Sequence, residues 1–192
     1  MEDKEKTDIE ICYENSEDIY NLILRAYTDM KILETLKNGL PTKGNGIRKM
    51  YVLKHICELL KSDFILIVWK IYFDKDSDAN TLIHLNNDLC KAKNIRSVTK
   101  IKSLSKEYKN MEKVINKFRD KFLAHNTKEL SKYIQRLTIP FPILDELIEI
   151  YNSICEQHKD LSMKAITKKD LSNIGSGATL GTLELILNNV KQ

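Results

Sequence analysis

The chain has no long apolar run: the longest, Phe64-Ile65-Leu66-Ile67-Val68-Trp69, is far below the roughly 18 residues needed to span a bilayer. That argues against a membrane protein. Its first residues are acidic and polar where a secretory leader is basic and then apolar, so a cytoplasmic location is expected. Cys12, Cys57, Cys90 and Cys155 are far apart and include no Cys-x-x-Cys pair, which argues against a zinc site or a dense disulfide framework. They read as reduced, partly buried thiols. His55, His84 and His158 show no metal-ligand spacing and read as surface or core-edge residues. Neither a metal nor another cofactor is implied. Internal repeats, low-complexity tracts and strand-rich segments are also missing.

What remains is 192 residues with 42% hydrophobic and 30% charged composition, enough for one domain with a sizeable core. Residues 1–15 carry mixed charge without a period and are expected to form a flexible N-terminus. Residues 16–192 are expected to form a single all-α domain, a bundle of about five or six helices.

Charge is unevenly distributed. Residues 91–132 hold 13 Lys and Arg against Glu107, Glu112, Asp120 and Glu129, a net +9 within a chain of +4, so the rest carries −5. A concentrated positive field attracts polyanions through phosphate contacts and counterion release, which makes RNA a candidate partner. A solvated lysine face would give the same composition.

Ser16, followed by Glu17 and Asp18, reads as the N-cap of a first helix running to about Lys37, stopped by Asn38-Gly39 and Pro41. Residues 41–46 read as a loop; Gly44 and Gly46 ahead of Arg48 and Lys49 resemble an anion nest only weakly. Leu53, Ile56, Cys57, Leu60, Phe64, Ile67, Val68 and Ile71 recur at three- and four-residue steps, the pattern of a buried core helix. The Asp74–Asp78 stretch lacks the glycine and glutamate of a calcium loop and reads as a helix cap, with Ser77 or Asp78 starting a short helix to about Cys90.

A long basic helix is expected from about Arg96, with Ile101, Leu104, Tyr108, Met111, Ile115, Phe118 and Phe122 on one stripe. Lys102, Lys106, Lys109, Lys113 and Lys117 lie opposite, with Lys121 continuing the basic set. Asn126-x-x-Glu129 resembles a capping box, so this helix is expected to break or bend beside His125. Residues 139–142, carrying two prolines, should be extended before a helix over 143–157 faced by Leu144, Leu147, Ile148 and Tyr151. Thr167-x-x-Asp170 resembles another cap. Gly175-Ser176-Gly177 reads as a turn before a last helix.

Chemistry gathers at Phe118-Arg119-Asp120-Lys121-Phe122-Leu123-Ala124-His125-Asn126. Arg119 and His125 lie about 120° apart on an unbroken helix, so they converge only through a bend at His125 or by pairing two copies about a two-fold axis. An imidazole with an ordinary pKa near 6.5 can move a proton to or from a ribose hydroxyl, while a guanidinium holds the phosphate oxygens. Asp120 could orient either partner. The same residues also fit a surface arginine and a helix-capping histidine.

This segment resembles the Arg-x4–6-His signature of the HEPN superfamily, with a polar residue directly after the arginine. Together with Ile71-Tyr72-Phe73-Asp74 upstream, the chain looks most like the superfamily's abortive-infection branch. The resemblance implies a helical homodimer joined through the motif helices. It also implies a metal-independent endoribonuclease of antiphage or toxin–antitoxin systems, with Arg119 and His125 catalytic and Asp120 supporting. Cleavage would leave 2′,3′-cyclic phosphate and 5′-hydroxyl ends. Some relatives are inactive, so a non-catalytic module binding an antitoxin, a nucleotidyltransferase, another defence protein or nucleic acid is the alternative.

Overall fold

The computed structural model describes residues 7–39, 47–94, 102–123 and 140–175. These are all-α, with no strand among them. Helix α1 spans Asp8–Gly39 and α2 spans Ile47–Val68, continuing into a π-helical turn over Trp69–Phe73. Then come α3 (Leu82–Ala92), a single turn α4 (Lys106–Lys109), α5 (Glu112–Leu123), α6 (Ile143–Gln157), a 3-10 turn (Lys159–Leu161) and α7 (Lys168–Gly175). With α4 set aside as one turn, six helices are described, as the sequence suggests. None of the described helices is long and apolar enough to cross a membrane.

The first helix starts earlier than its sequence signals suggest. Thr7 and Glu10 form a reciprocal cap: the Thr7 N–H donates to Glu10 Oε2 at 2.8 Å and the Glu10 N–H donates to Thr7 Oγ1 at 3.3 Å. Ser16 is therefore not an N-cap but a buried residue inside α1, 3.1 Å from the Tyr151 hydroxyl. Cys12, Ile19, Ile23, Ala26, Met30 and Leu33 are buried along one stripe of this helix, whose length is about 48 Å at 1.5 Å per residue. Helices α2, α3, α6 and α7 all pack against it.

The core joins Cys12, Ile19, Ile23, Ala26 and Met30 of this stripe to Phe64, Ile67, Val68 and Ile71 of the second helix and π turn, Leu82, Leu85 and Leu89 of α3, and Leu144, Leu147, Tyr151 and Ile154 of α6. A smaller cluster of Leu36 and Leu53, flanked by Ile56, Cys57 and Leu60, closes the far end of the α1–α2 pair. Tyr151 also approaches the Lys164 carbonyl at 3.1 Å. Asn152 pairs with the Ile166 backbone in both directions, at 2.8 and 2.9 Å, and so fastens residues 163–167 to α6.

Several expectations need correction. The cap of α3 is Thr81, whose hydroxyl accepts from the His84 N–H at 3.1 Å, rather than Ser77 or Asp78. The long basic helix is not continuous: residues 102–105 are non-helical, and a turn at Asn110-Met111 separates α4 from α5. Tertiary bonds hold this irregular backbone. The Leu104 N–H donates to the Tyr72 hydroxyl at 3.2 Å, and the Ser105 N–H donates to Glu146 at 2.7 Å. Phe141-Pro142 forms a turn, with the Ile143 N–H donating to the Pro140 carbonyl at 3.1 Å, instead of an extended run. Helix α6 and the Thr167–Asp170 cap occur as expected. All four cysteines are free, and three are buried. The Gly44/Gly46 loop and the Asn126-x-x-Glu129 segment lie outside the described residues, as does nearly all of the glycine-rich turn that begins at Gly175.

One buried carboxyl couples the α1–α2 pairing to pH. Arg25 of α1 clasps Asp63 of α2 through two bonds of 2.7 and 2.8 Å. One helical turn on, Asp29 is 6% exposed. Burial, then its hydrogen bond with Asp63 and the Asp63 charge, push its pKa up to about 7, against a smaller opposing pull from Arg25. The folded state therefore holds a proton that the unfolded chain releases near pH 4. Stability from this group is complete below about pH 4 and is lost as pH rises through about 7. Asp29→Asn should flatten that slope and make the protein more stable than its parent at pH 8, by an amount on the order of a few kcal/mol. Urea midpoints measured from pH 5 to pH 8 check this, and parallel curves for the two proteins would contradict it.

Candidate functional site

Helix α5 enters the bundle through Ile115 and Phe118, which are 2% and 0% exposed. Burying these two fixes the rotation of α5 and turns Arg119 toward the end of the second helix. The site is built there. Arg119 donates from Nε and Nη2 to Asp120 Oδ1 at 3.0 and 2.6 Å, and its guanidinium carbon lies 5.0 Å from the Trp69 ring centroid. Its side chain keeps 32% exposure, against 63% for Asp120. Of five guanidinium N–H donors, the Asp120 pair uses Nε–H and one from Nη2, and the Nη1 hydrogens are not used by it. Such a group is oriented yet can still meet an anion.

Sequence reasoning missed Trp69, although it is the only tryptophan in the chain. It ends the apolar run, where the sequence gives no reason to single it out. Half-buried against the core, it stands at the start of the π turn, where the Asp74 N–H reaches back five residues to the Trp69 carbonyl at 2.9 Å. The same turn and the residues after it hold the basic segment at two further points: Tyr72 takes the Leu104 N–H, and Lys75 pairs with Glu112 at 2.6 Å.

The lysines are placed less uniformly than one helical stripe would place them. Lys102 is exposed and ion-paired with Glu149 of α6. Lys109 donates to Ser103 Oγ at 3.1 Å. Lys106, Lys113 and Lys117 are exposed, and Lys121 is half-buried. At 100° per residue, Lys113, Lys117 and Lys121 lie about 120–160° around α5 from Arg119. The lysine row and the arginine thus occupy different faces of one helix.

His125 lies outside the described residues, and with it the expected bend. The other histidines form no site with Arg119. His55 is exposed, and His84 is half-buried with Nδ1 2.6 Å from the Ala79 carbonyl. Of the surface and core-edge readings, His158 does not fit the first: it is 2% exposed, and burial and the Lys93 charge lower its pKa. Among the described residues no group of three or more His, Cys, Asp or Glu side chains is placed to hold a metal. Comparison with protein-family models, curated proteins and solved structures gives no match.

The Arg119–Asp120 pair is exposed enough that solvent screens it, so its contribution to folding is small. Asp120→Asn should shift the urea midpoint by the equivalent of no more than about 1 kcal/mol. A larger loss would mean that Asp120 has a structural role that this exposed pairing does not account for.

Proposed function

We propose that the chain is a metal-independent endoribonuclease, acting as a homodimer, in which Arg119 and His125 carry the reaction and Asp120 orients the arginine. The observation that carries this reading is the state of Arg119: fixed by Asp120 and Trp69, a third exposed, and six residues before a histidine. Fixing a guanidinium before substrate arrives removes reorganisation cost when negative charge builds on a phosphate. The net +9 over residues 91–132 supports a polyanionic substrate.

In the proposed reaction a ribose 2′-oxygen attacks the adjacent phosphorus as its proton passes to a base. The P–O5′ bond breaks, and O5′ takes a proton. His125 serves one of these proton transfers, and Arg119 bonds to the non-bridging oxygens. The products are a 2′,3′-cyclic phosphate and a 5′-hydroxyl. Lys106, Lys113 and Lys117, with Lys102, Lys109 and Lys121, would extend the contact to flanking phosphates. Because α5 presents the lysines and Arg119 on different faces, the two sets suit a site completed by a second copy of the chain better than one RNA path along a single helix face. On the superfamily resemblance, the setting is antiphage or toxin–antitoxin defence, with an antitoxin or nucleotidyltransferase as the partner.

Purified protein incubated with mixed tRNA and mRNA in EDTA should yield fragments with cyclic-phosphate ends. Arg119→Ala and His125→Ala should each lower the rate by at least about a hundredfold while remaining folded. Intact RNA with the parent protein would favour the non-catalytic binding module, and equal cutting by parent and variants would refute the residue assignment.

A further inference from the structure

We infer that Trp69 is a positioning residue of the Arg119 site, holding the guanidinium on the face of its indole so that the phosphate-binding donors keep one orientation. The inference rests on the ribonuclease reading and adds to it a residue from another helix.

Three observations converge on Trp69. The guanidinium carbon is 5.0 Å from the ring centroid, within the roughly 6 Å over which a cation is attracted by an indole face. The indole N–H is enclosed and has no hydrogen-bond partner among the described residues, whereas a buried indole N–H usually finds an acceptor. The ring is therefore held by packing, and its orientation satisfies its face at the expense of its polar edge. Lastly, Trp69 opens the π turn. A five-residue hydrogen-bonded loop changes the angular position of residues along a helix, and such turns are concentrated at functional sites.

Asp120 alone would leave the guanidinium free to pivot, because both of its bonds converge on the single atom Oδ1. A planar ring against the guanidinium limits that pivot. The effect should therefore fall on the chemical step, where donor alignment matters most, more than on RNA binding.

The test compares Trp69→Leu and Trp69→Phe with the parent, after thermal unfolding has established that each variant is folded. The first readout needs no substrate: the Arg119 Nε–H resonance in a 15N spectrum, assigned by its loss in Arg119→Lys. It should be shifted by the ring current in the parent, stay shifted in Trp69→Phe, and move toward the free-arginine position in Trp69→Leu. The second is RNA cleavage, where kcat should fall roughly tenfold in Trp69→Leu with KM little changed, and Trp69→Phe should restore most of the rate. An unchanged resonance in Trp69→Leu overturns the positioning role and leaves the ribonuclease reading standing. A shifted resonance without any cleavage by the parent overturns the ribonuclease reading, and the positioning role with it. A loss confined to KM would also refute positioning.

Discussion

Everything proposed for the site depends on how the second helix ends. Between Trp69 and Phe73 its hydrogen bonds lengthen to a five-residue step, and from there three side chains reach the basic segment. Trp69 meets Arg119, the Tyr72 hydroxyl takes the Leu104 N–H, and Lys75 pairs with Glu112. Meanwhile Ile71 and Phe73 are buried, anchoring the turn in the core. The π turn is thus both part of the scaffold and the seat of helix α5. A shift in its register would move the surface on which Arg119 rests.

Two kinds of electrostatics coexist here. The lysine-rich segment creates a broad field that solvent screens and that is not directional. Arg119 is local: one carboxylate, one ring and a shallow position restrict it. The broad field can gather an anionic polymer, and the local pair can hold one phosphate. Their separation around α5 means that the two roles need not involve the same face, which in the proposed homodimer would give a second protomer a physical task.

Much of the fold was legible because side-chain period reports burial. Leu144, Leu147, Ile148 and Tyr151 predict α6 over 143–157, where it occurs, and the Thr167–Asp170 spacing marks the start of α7. The break between α4 and α5 was hidden for the same reason. Leu104, Tyr108, Ile115 and Phe118 are all buried in the broken arrangement too, so the stripe could not distinguish it from a continuous helix. The competing bonds come from Tyr72 and Glu146, distant in sequence. Ser16 misled because it has the chemistry of a cap, whereas its hydroxyl serves a buried contact with Tyr151. At the site, Arg119 and Asp120 could be named from the motif alone. Trp69 could not, because only tertiary packing brings the π turn beneath the arginine.

The central claim is that one phosphate sits between Arg119 and His125. The most direct measurement is a crystal structure of the protein with an RNA dinucleotide whose reactive 2′-hydroxyl is replaced by hydrogen, so that it binds without being cleaved. The account predicts the phosphate within about 3 Å of an Arg119 guanidinium nitrogen, the guanidinium still against Trp69, and the His125 ring within hydrogen-bonding reach of O5′ or the 2′ position. A dinucleotide bound elsewhere, with Arg119 contacting Asp120 alone and His125 remote from the phosphate, would contradict it.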